Sequence, residues 1–131
     1  MSRALIQTVN QSSQTVAANS IITPGSVQRR FGCNLRLSGN GIEVTGEGYY
    51  TIDGIVSVSP TAAGAVTVAL YSNGAQIPGA IAYGTGTAGD PITLPLSATI
   101  RQGCCCVDNV TCVLIEGAGT VENIALRVVK E

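Results

Sequence analysis

The sequence contains no histidine, no tryptophan and only one phenylalanine among its 131 residues. Histidine is the most common general base at neutral pH and takes part in most catalytic zinc sites, so its absence removes those sites and every histidine-based triad. Three carboxylates, Glu43, Glu47 and Asp53, lie close together in the sequence, but their spacing is typical of charges on loops and strand surfaces. We therefore predict no catalytic residue and a protein that is not an enzyme.

Charged residues are also scarce, at 11% of the chain against about 25% in typical soluble domains. This low value indicates a surface that is polar but uncharged, and that is partly buried against further copies of the chain. The net charge is −1, and Arg29 and Arg30 do not make the basic stripe with interleaved aromatic residues that nucleic-acid binding requires. We expect no nucleic acid, membrane or cofactor as a partner.

Long apolar runs are absent too, since none reaches the roughly 18 residues that span a bilayer. The N-terminal region turns polar soon after its first apolar residues, too early for the apolar core of a secretory signal. The sequence therefore predicts a protein made in the cytoplasm without a signal peptide. Its length is that of one domain.

What the chain does contain is short β-branched runs separated by 16 glycines and five prolines. Apolar and polar residues alternate most clearly over residues 49–59 and 65–72, and Asn73 and Gly74 then give a hairpin signal. Further strands are predicted over residues 4–9, 20–23, 35–37, 41–45, 92–100, 104–107, 110–116 and 121–129. This pattern favours an all-β sandwich or barrel of about eight to ten strands without helices.

Two segments indicate contact with a partner. The strand over residues 121–129 is apolar on both faces, so its second face either meets another chain or is partly covered by its own. Residues 7–19 are uncharged and rich in Ser, Gln, Thr and Asn, which is typical of a segment that is flexible or draped over a neighbour. We predict an N-terminal polar arm or first strand over residues 1–19, a candidate docking segment, followed by the main domain over residues 20–131.

The cysteines are concentrated in one region, Cys104 to Cys106 and Cys112, with Cys33 apart. Their spacing predicts a hairpin that turns at Asp108 and Asn109 and puts Cys105 opposite Cys112. Three interpretations are open: buried free thiols that pack as small apolar residues, a cross-strand disulfide between Cys105 and Cys112, or a metal held by one cysteine from each of three copies. Cysteines on adjacent strand positions diverge to opposite faces, so we predict no metal site within one chain.

Three stretches resemble the TNF-like jelly rolls, which include the complement globular heads. Residues 41–58 are similar to that family's turn, Gly-aromatic pair and long alternating strand. Residues 65–79 are similar to its valine-rich strand, Asn-Gly turn and Ile-Pro, and residues 123–130 are similar to its closing strand. The resemblance covers about two-thirds of the chain and implies a two-sheet antiparallel jelly-roll sandwich that forms a homotrimer. By position it implies a trimer interface that includes Tyr49, Ile55, Ala125, Arg127 and Val129.

These observations together predict a structural or binding protein, a homotrimeric jelly roll on a phage virion surface. There it would decorate the capsid or form a short head fibre, with a capsid or other particle surface protein as its partner. One alternative is a receptor- or glycan-binding fibre tip, with Tyr71 and Tyr83 facing the ligand. Another is a trimer on a bacterial surface or spore coat.

Overall fold

The computed structural model describes residues 4–103 and 107–130. These residues form twelve β-strands and no helix, and therefore no helix that could cross a membrane. In chain order the strands are β1 (Leu5–Asn10), β2 (Gln14–Val16), β3 (Ser20–Ile22), β4 (Ser26–Phe31), β5 (Leu35–Ser38), β6 (Gly41–Thr45), β7 (Gly48–Pro60), β8 (Gly64–Ser72), β9 (Ala75–Gly86), β10 (Ile92–Gln102), β11 (Val107–Glu116) and β12 (Gly119–Lys130).

The strands form two antiparallel sheets of six strands each. Sheet A has the order β10-β7-β12-β1-β4, and β2 pairs with the start of β12. Sheet B has the order β5-β6-β11-β8-β9, and β3 pairs with β11. From β6 to β8 and from β9 to β12 the chain passes repeatedly from one sheet to the other, which is the connectivity of a jelly roll. The predicted all-β, two-sheet fold is confirmed.

The core lies between the sheets and consists of alternate residues of each strand, because successive side chains of a strand point to opposite faces. From sheet A, β7 and β12 bury the residues that their alternation predicted, and from sheet B, β8 buries its predicted residues Val66, Val68 and Leu70. The strand β11 adds alternate residues to the core from sheet B. Burial of each such apolar side chain stabilises the fold by about 1.5–3 kcal/mol. The fully buried members include Tyr50, Ile52, Val56, Val58, Val68, Leu70, Val110, Leu114, Ile124 and Val128.

The predicted Asn-Gly hairpin joins β8 and β9. Asn73 and Gly74 have φ values of 52° and 83°, the left-handed conformations that a two-residue hairpin turn requires. The side chain of Asn73 also reaches β11, where its Nδ2 donates to Asp108 Oδ1 at 2.6 Å and its Oδ1 accepts from the backbone N–H of Asn109 at 2.9 Å. The turn is therefore fastened to the neighbouring strand.

The predicted turn at Asp108 and Asn109 is wrong. Both residues lie inside β11, where Asp108 pairs with Val44 and Asn109 with Glu43 of β6. Pairing of β11 with β6 and β8, together with the bond from Asn73, outweighs the turn propensity of Asp and Asn. Strand boundaries are decided by such tertiary pairing more than by local preference.

The predicted Cys105–Cys112 pair loses the hairpin on which it depended. Cys112 instead lies between Ile22 of β3 and Leu70 of β8, where it is a buried free thiol in the core. This is the packing role proposed for cysteine in the sequence. Cys105 itself lies outside the described residues.

Three strands were not predicted: β2, β4 and β9. β1 and β2 lie within the N-terminal polar segment, where β1 takes a place between β12 and β4, and β2 pairs with β12. β4 is exposed along all six residues, so no apolar alternation marks it. β9 is an edge strand, which tolerates Pro78 because an edge strand has an unpaired side that needs no N–H.

Candidate assembly interface

The outward surface of β10, β7 and β12, which we call the A face, carries an apolar row at its centre. Pro95, Ile55 and Ala125 are direct cross-strand neighbours, and Val9 of β1 continues the row beyond Ala125. Neighbouring strands are about 4.8 Å apart, so these four residues form a stripe about 14 Å long. Ile55 remains 46% exposed.

A polar row lies directly beside the apolar one. Asp53 and Arg127 are cross-strand neighbours and form an ion pair with an N–O distance of 3.8 Å. Ser97 and Gln7 extend the row on either side. Both charged side chains are about half exposed, so the pair contributes at most about 1 kcal/mol to the stability of the isolated chain.

A third row follows, formed by Thr99, Thr51 and Val129, and Tyr49 lies beyond it next to Arg101. The ring of Tyr49 is 55% exposed. A tyrosine in this position offers a large contact area with few rotatable bonds, as interface residues often do.

A groove of about 480 Å³ lies at the centre of the A face. Ile55, Pro95 and Ala125 form its apolar part, and the Asp53–Arg127 pair lies at one side. Beneath it, a Cβ at Gly54 would be 2.7 Å from Leu126 Cδ2, so glycine is the residue that lets Leu126 fill this part of the core. The A face therefore combines an apolar centre with one internally paired acid and base.

All five residues predicted for the interface lie on this one surface. Tyr49 and Ile55 are outward residues of β7, and Ala125, Arg127 and Val129 are outward residues of β12, the strand next to it. Whether they meet another chain remains a prediction. Sequence reasoning placed Asp53 on a strand surface but did not include it in the interface. It missed Pro95, whose place opposite Ile55 depends on the pairing of β10 with β7.

The outward surface of sheet B, the B face, is built differently. It also has an apolar row, formed by Ile21, Val113, Ala69 and Ile81. Here, however, Ala69 is fully buried and Val113 is only 9% exposed, although Ile21 at the end of the row is 45% exposed. The alternation over residues 65–72 had predicted an exposed second face for β8, which is wrong for Ala69 and for Thr67, 4% exposed.

The two tyrosines predicted to face a ligand both lie on the B face. Tyr83 of β9 is 73% exposed and pairs with Thr67, whereas Tyr71 is half-buried and pairs with Gln76. Thr67, the partner of Tyr83, lies four positions before Tyr71 on β8, which is about 13 Å along the strand. The structure therefore does not bring the two rings into one site, and their ligand contact remains a prediction.

Metal-ligating side chains and the buried thiol are two further features of the described part of the chain. Within residues 4–103 and 107–130, no three Cys, Asp or Glu side chains converge on a point where they would hold a metal ion. The buried thiol of Cys112 has its pKa raised to about 12 by desolvation, so it is neither a nucleophile nor a ready metal ligand at neutral pH.

The fold is that of the TNF-like jelly rolls. Murine APRIL superposes with a TM-score of 0.76 over 99% of this chain and 100% of its own, at 12% identity. The globular domain of zebrafish complement 1qA protein gives 0.72 over 95% and 94%, at 9% identity. The PRD1 vertex protein P5 gives 0.65 over 97% and 96%, at 14% identity. No protein-family model matches the chain, and no curated protein matches its sequence.

Proposed function

We propose that this chain is a structural or binding protein that assembles as a homotrimer through the A face. The assembly would sit on a phage virion surface, as a capsid decoration or a short head fibre. The observation that carries the proposal is the contrast between the two sheets. The A face leaves Ile55 about half exposed in its central groove and Tyr49 about half exposed further along β7, whereas the centre of the B-face row, Val113 and Ala69, is buried.

Burial of the A face would stabilise a trimer measurably. Ile55 has 46% of its surface still to bury, which is worth about 1 kcal/mol per copy and about 3 kcal/mol for three copies. Three kcal/mol corresponds to about 100-fold in the dissociation constant. Tyr49 and Val129 would add to this in the same interface.

The particle role is supported by the likeness to the PRD1 vertex protein, which by its name occupies a vertex. That likeness is one of fold. The low charge and the polar N-terminal segment fit a protein that packs against other proteins over much of its surface.

The test is the solution mass of the Ile55→Lys variant, measured by light scattering on a sizing column. Ile21→Lys is the matched control, because Ile21 is 45% exposed on the B face. We expect the unmodified chain and Ile21→Lys to have three times the 13.3 kDa chain mass. We expect Ile55→Lys to be a monomer, since an unpaired lysine would be buried in the interface.

A monomeric unmodified chain would overturn the trimer, and a trimeric Ile55→Lys variant would overturn the assignment to the A face. The particle role needs a separate measurement. Gold-labelled antibodies against the chain should decorate intact particles isolated from the culture that produces it, and particles that lack the chain would exclude the virion role.

A further inference from the structure

A second, polar surface lies on the same outward side of sheet A, at its β4 end, over β1 and β4. Two adjoining grooves of about 350 and 370 Å³ share Val9, Gln11 and Gln28. The other lining residues are almost all uncharged and polar, with one arginine. We call this surface the amide trough and define it by Gln7, Gln11, Ser12, Ser26, Gln28 and Arg29.

The backbone is shaped specifically at this point. The pairing of β1 with β4 shifts register between Gln7 and Thr8, so that Gln28 becomes an extra residue without a partner on β1. A bulge of this kind re-aims a side chain, and bulges are common next to functional sites. At the other end of the trough, Gly25 has a φ of 89°, and a Cβ there would lie 2.4 Å from the carbonyl oxygen of Val9.

The amides of the trough are available for a ligand. Among the described residues, no side chain or backbone group forms a hydrogen bond with the amides of Gln7, Gln11 or Gln28. The nearby Gln14 differs, since its Nε2 donates to the carbonyl oxygen of Thr23 and its Oε1 accepts from the Thr23 N–H, both at 3.0 Å. The amide of Gln14 thus holds the backbone at Thr23, whereas the three trough amides form no such bond within the described residues.

Charge and an aromatic ring complete the surface. Arg29 lies opposite Gln7, and its Nη1 donates to the carbonyl oxygen of Gln28 at 3.3 Å. None of the described residues that line either groove is acidic. Phe31 is the next outward residue of β4, about 6.6 Å further along the strand. Its ring is 53% exposed.

We propose that the amide trough binds an oligosaccharide that carries a carboxylate. Each amide offers a donor and an acceptor side by side, which matches the hydroxyl groups of a sugar. The guanidinium of Arg29 pairs with the sugar carboxylate, and the apolar face of a pyranose ring packs on Phe31. The trough adjoins the A face, since Gln7 also lines the groove there and Val9 ends its apolar row. The residues replaced in the test, Gln28, Arg29 and Phe31, lie on β4, two strands away from β12, and are not among the interface candidates.

An extended peptide added to the open edge of β4 is disfavoured by the same strand. Arg29 and Arg30 and the bulge at Gln28 are features that keep edge strands from pairing with further chains. The trough also lies on the face of the sheet and not along its edge.

The test is calorimetric titration of the full chain with a sialic acid trimer, trigalacturonate and, as the neutral counterpart, galactotriose. We expect saturable binding of at least one acidic trimer, at least tenfold tighter than that of galactotriose. Gln28→Ala and Phe31→Ala should each weaken it at least fivefold, and Arg29→Met should abolish the preference for the acidic sugar. Tyr83→Ala is the control, because it removes a more exposed ring from the B face and should leave binding unchanged.

Absence of saturable binding to all three sugars would overturn the proposal. So would binding that survives Gln28→Ala and Phe31→Ala, or that is lost in Tyr83→Ala. Circular dichroism and the solution mass, recorded for every variant, separate loss of the site from loss of the fold. The mass also separates failure of the trimer from failure of the sugar site.

Discussion

Replacement of Tyr50 by phenylalanine removes one hydroxyl from the end of the core. Tyr50 is fully buried in β7, and its hydroxyl donates to the carbonyl oxygen of Thr45 at 2.8 Å. The carbonyl oxygen of Gly46 lies 2.9 Å from the same hydroxyl and is a second acceptor for it. The Thr45 oxygen also accepts from Asn34 Nδ2, so the variant leaves that carbonyl with one partner and Gly46 without the hydroxyl. We expect Tyr50→Phe to lower the free energy of unfolding by about 1–2 kcal/mol.

The neighbouring residue supplies the control. Tyr49 undergoes the same chemical change in Tyr49→Phe, but its ring lies on the outward face and is 55% exposed. Surface substitutions of this kind change stability by less than about 0.5 kcal/mol. The two variants thus differ only in the side of the strand from which the hydroxyl is removed.

The same hydroxyl gives a pH dependence. Burial raises the pKa of Tyr50 above its usual value of 10.0, because the phenolate would be desolvated. The folded state therefore holds this proton more tightly than the unfolded state does. The resulting stability is fully present below about pH 10 and is lost as the pH rises through the raised pKa. Tyr50→Phe has no such proton, so its stability should fall less steeply in alkaline solution.

The assay is urea unfolding followed by circular dichroism, at one protein concentration because assembly contributes to stability. At pH 7.5 the midpoint of Tyr50→Phe should lie about 1 M below that of the unmodified chain, and that of Tyr49→Phe within about 0.3 M of it. Equal midpoints for the two variants would refute the hydrogen bond. Equal loss of stability above pH 10 in Tyr50→Phe and the unmodified chain would show that the raised pKa of Tyr50 does not contribute to the pH dependence.

Two further predictions concern the buried thiol and the hairpin. Brief treatment of the folded chain with iodoacetamide at pH 8 should alkylate the exposed Cys33 and spare Cys112, as read by peptide mapping. Burial raises the pKa of Cys112 to about 12, so this thiol is neither accessible nor ionised. Labelling of both cysteines at similar rates would contradict the position of Cys112 in the core. Asn73→Ala should lower the free energy of unfolding by about 2 kcal/mol, through two lost hydrogen bonds to β11 and a left-handed φ that alanine disfavours. Asn73→Gly, which keeps the turn, should lose less, and an unchanged urea midpoint in Asn73→Ala would show that the bonds to β11 are dispensable.

The sequence by itself determined the fold class and the faces of its clearest strands. Alternation identified which residues of β7 and β12 are buried, and Asn73 with Gly74 identified one turn. These features are local, because each depends on the two-residue period of a strand or on the conformations open to two turn residues. The absence of histidine had a similarly direct consequence for the chemistry that we expect.

Only the tertiary structure decided which strands are neighbours, and with them the surfaces. Asp108 and Asn109 have the local preferences of a turn, but pairing with β6 and the hydrogen bonds from Asn73 keep them in a strand. Ile55 and Ile21 are similarly exposed, yet Ile55 lines the groove at the centre of the A face and Ile21 lies at the end of the B-face row. β4 has no alternation of apolar and polar residues, so the sequence did not predict this strand or the amide trough that it forms with β1. Register across sequence-distant strands brings these residues together, and register is set by the packing of the whole sandwich.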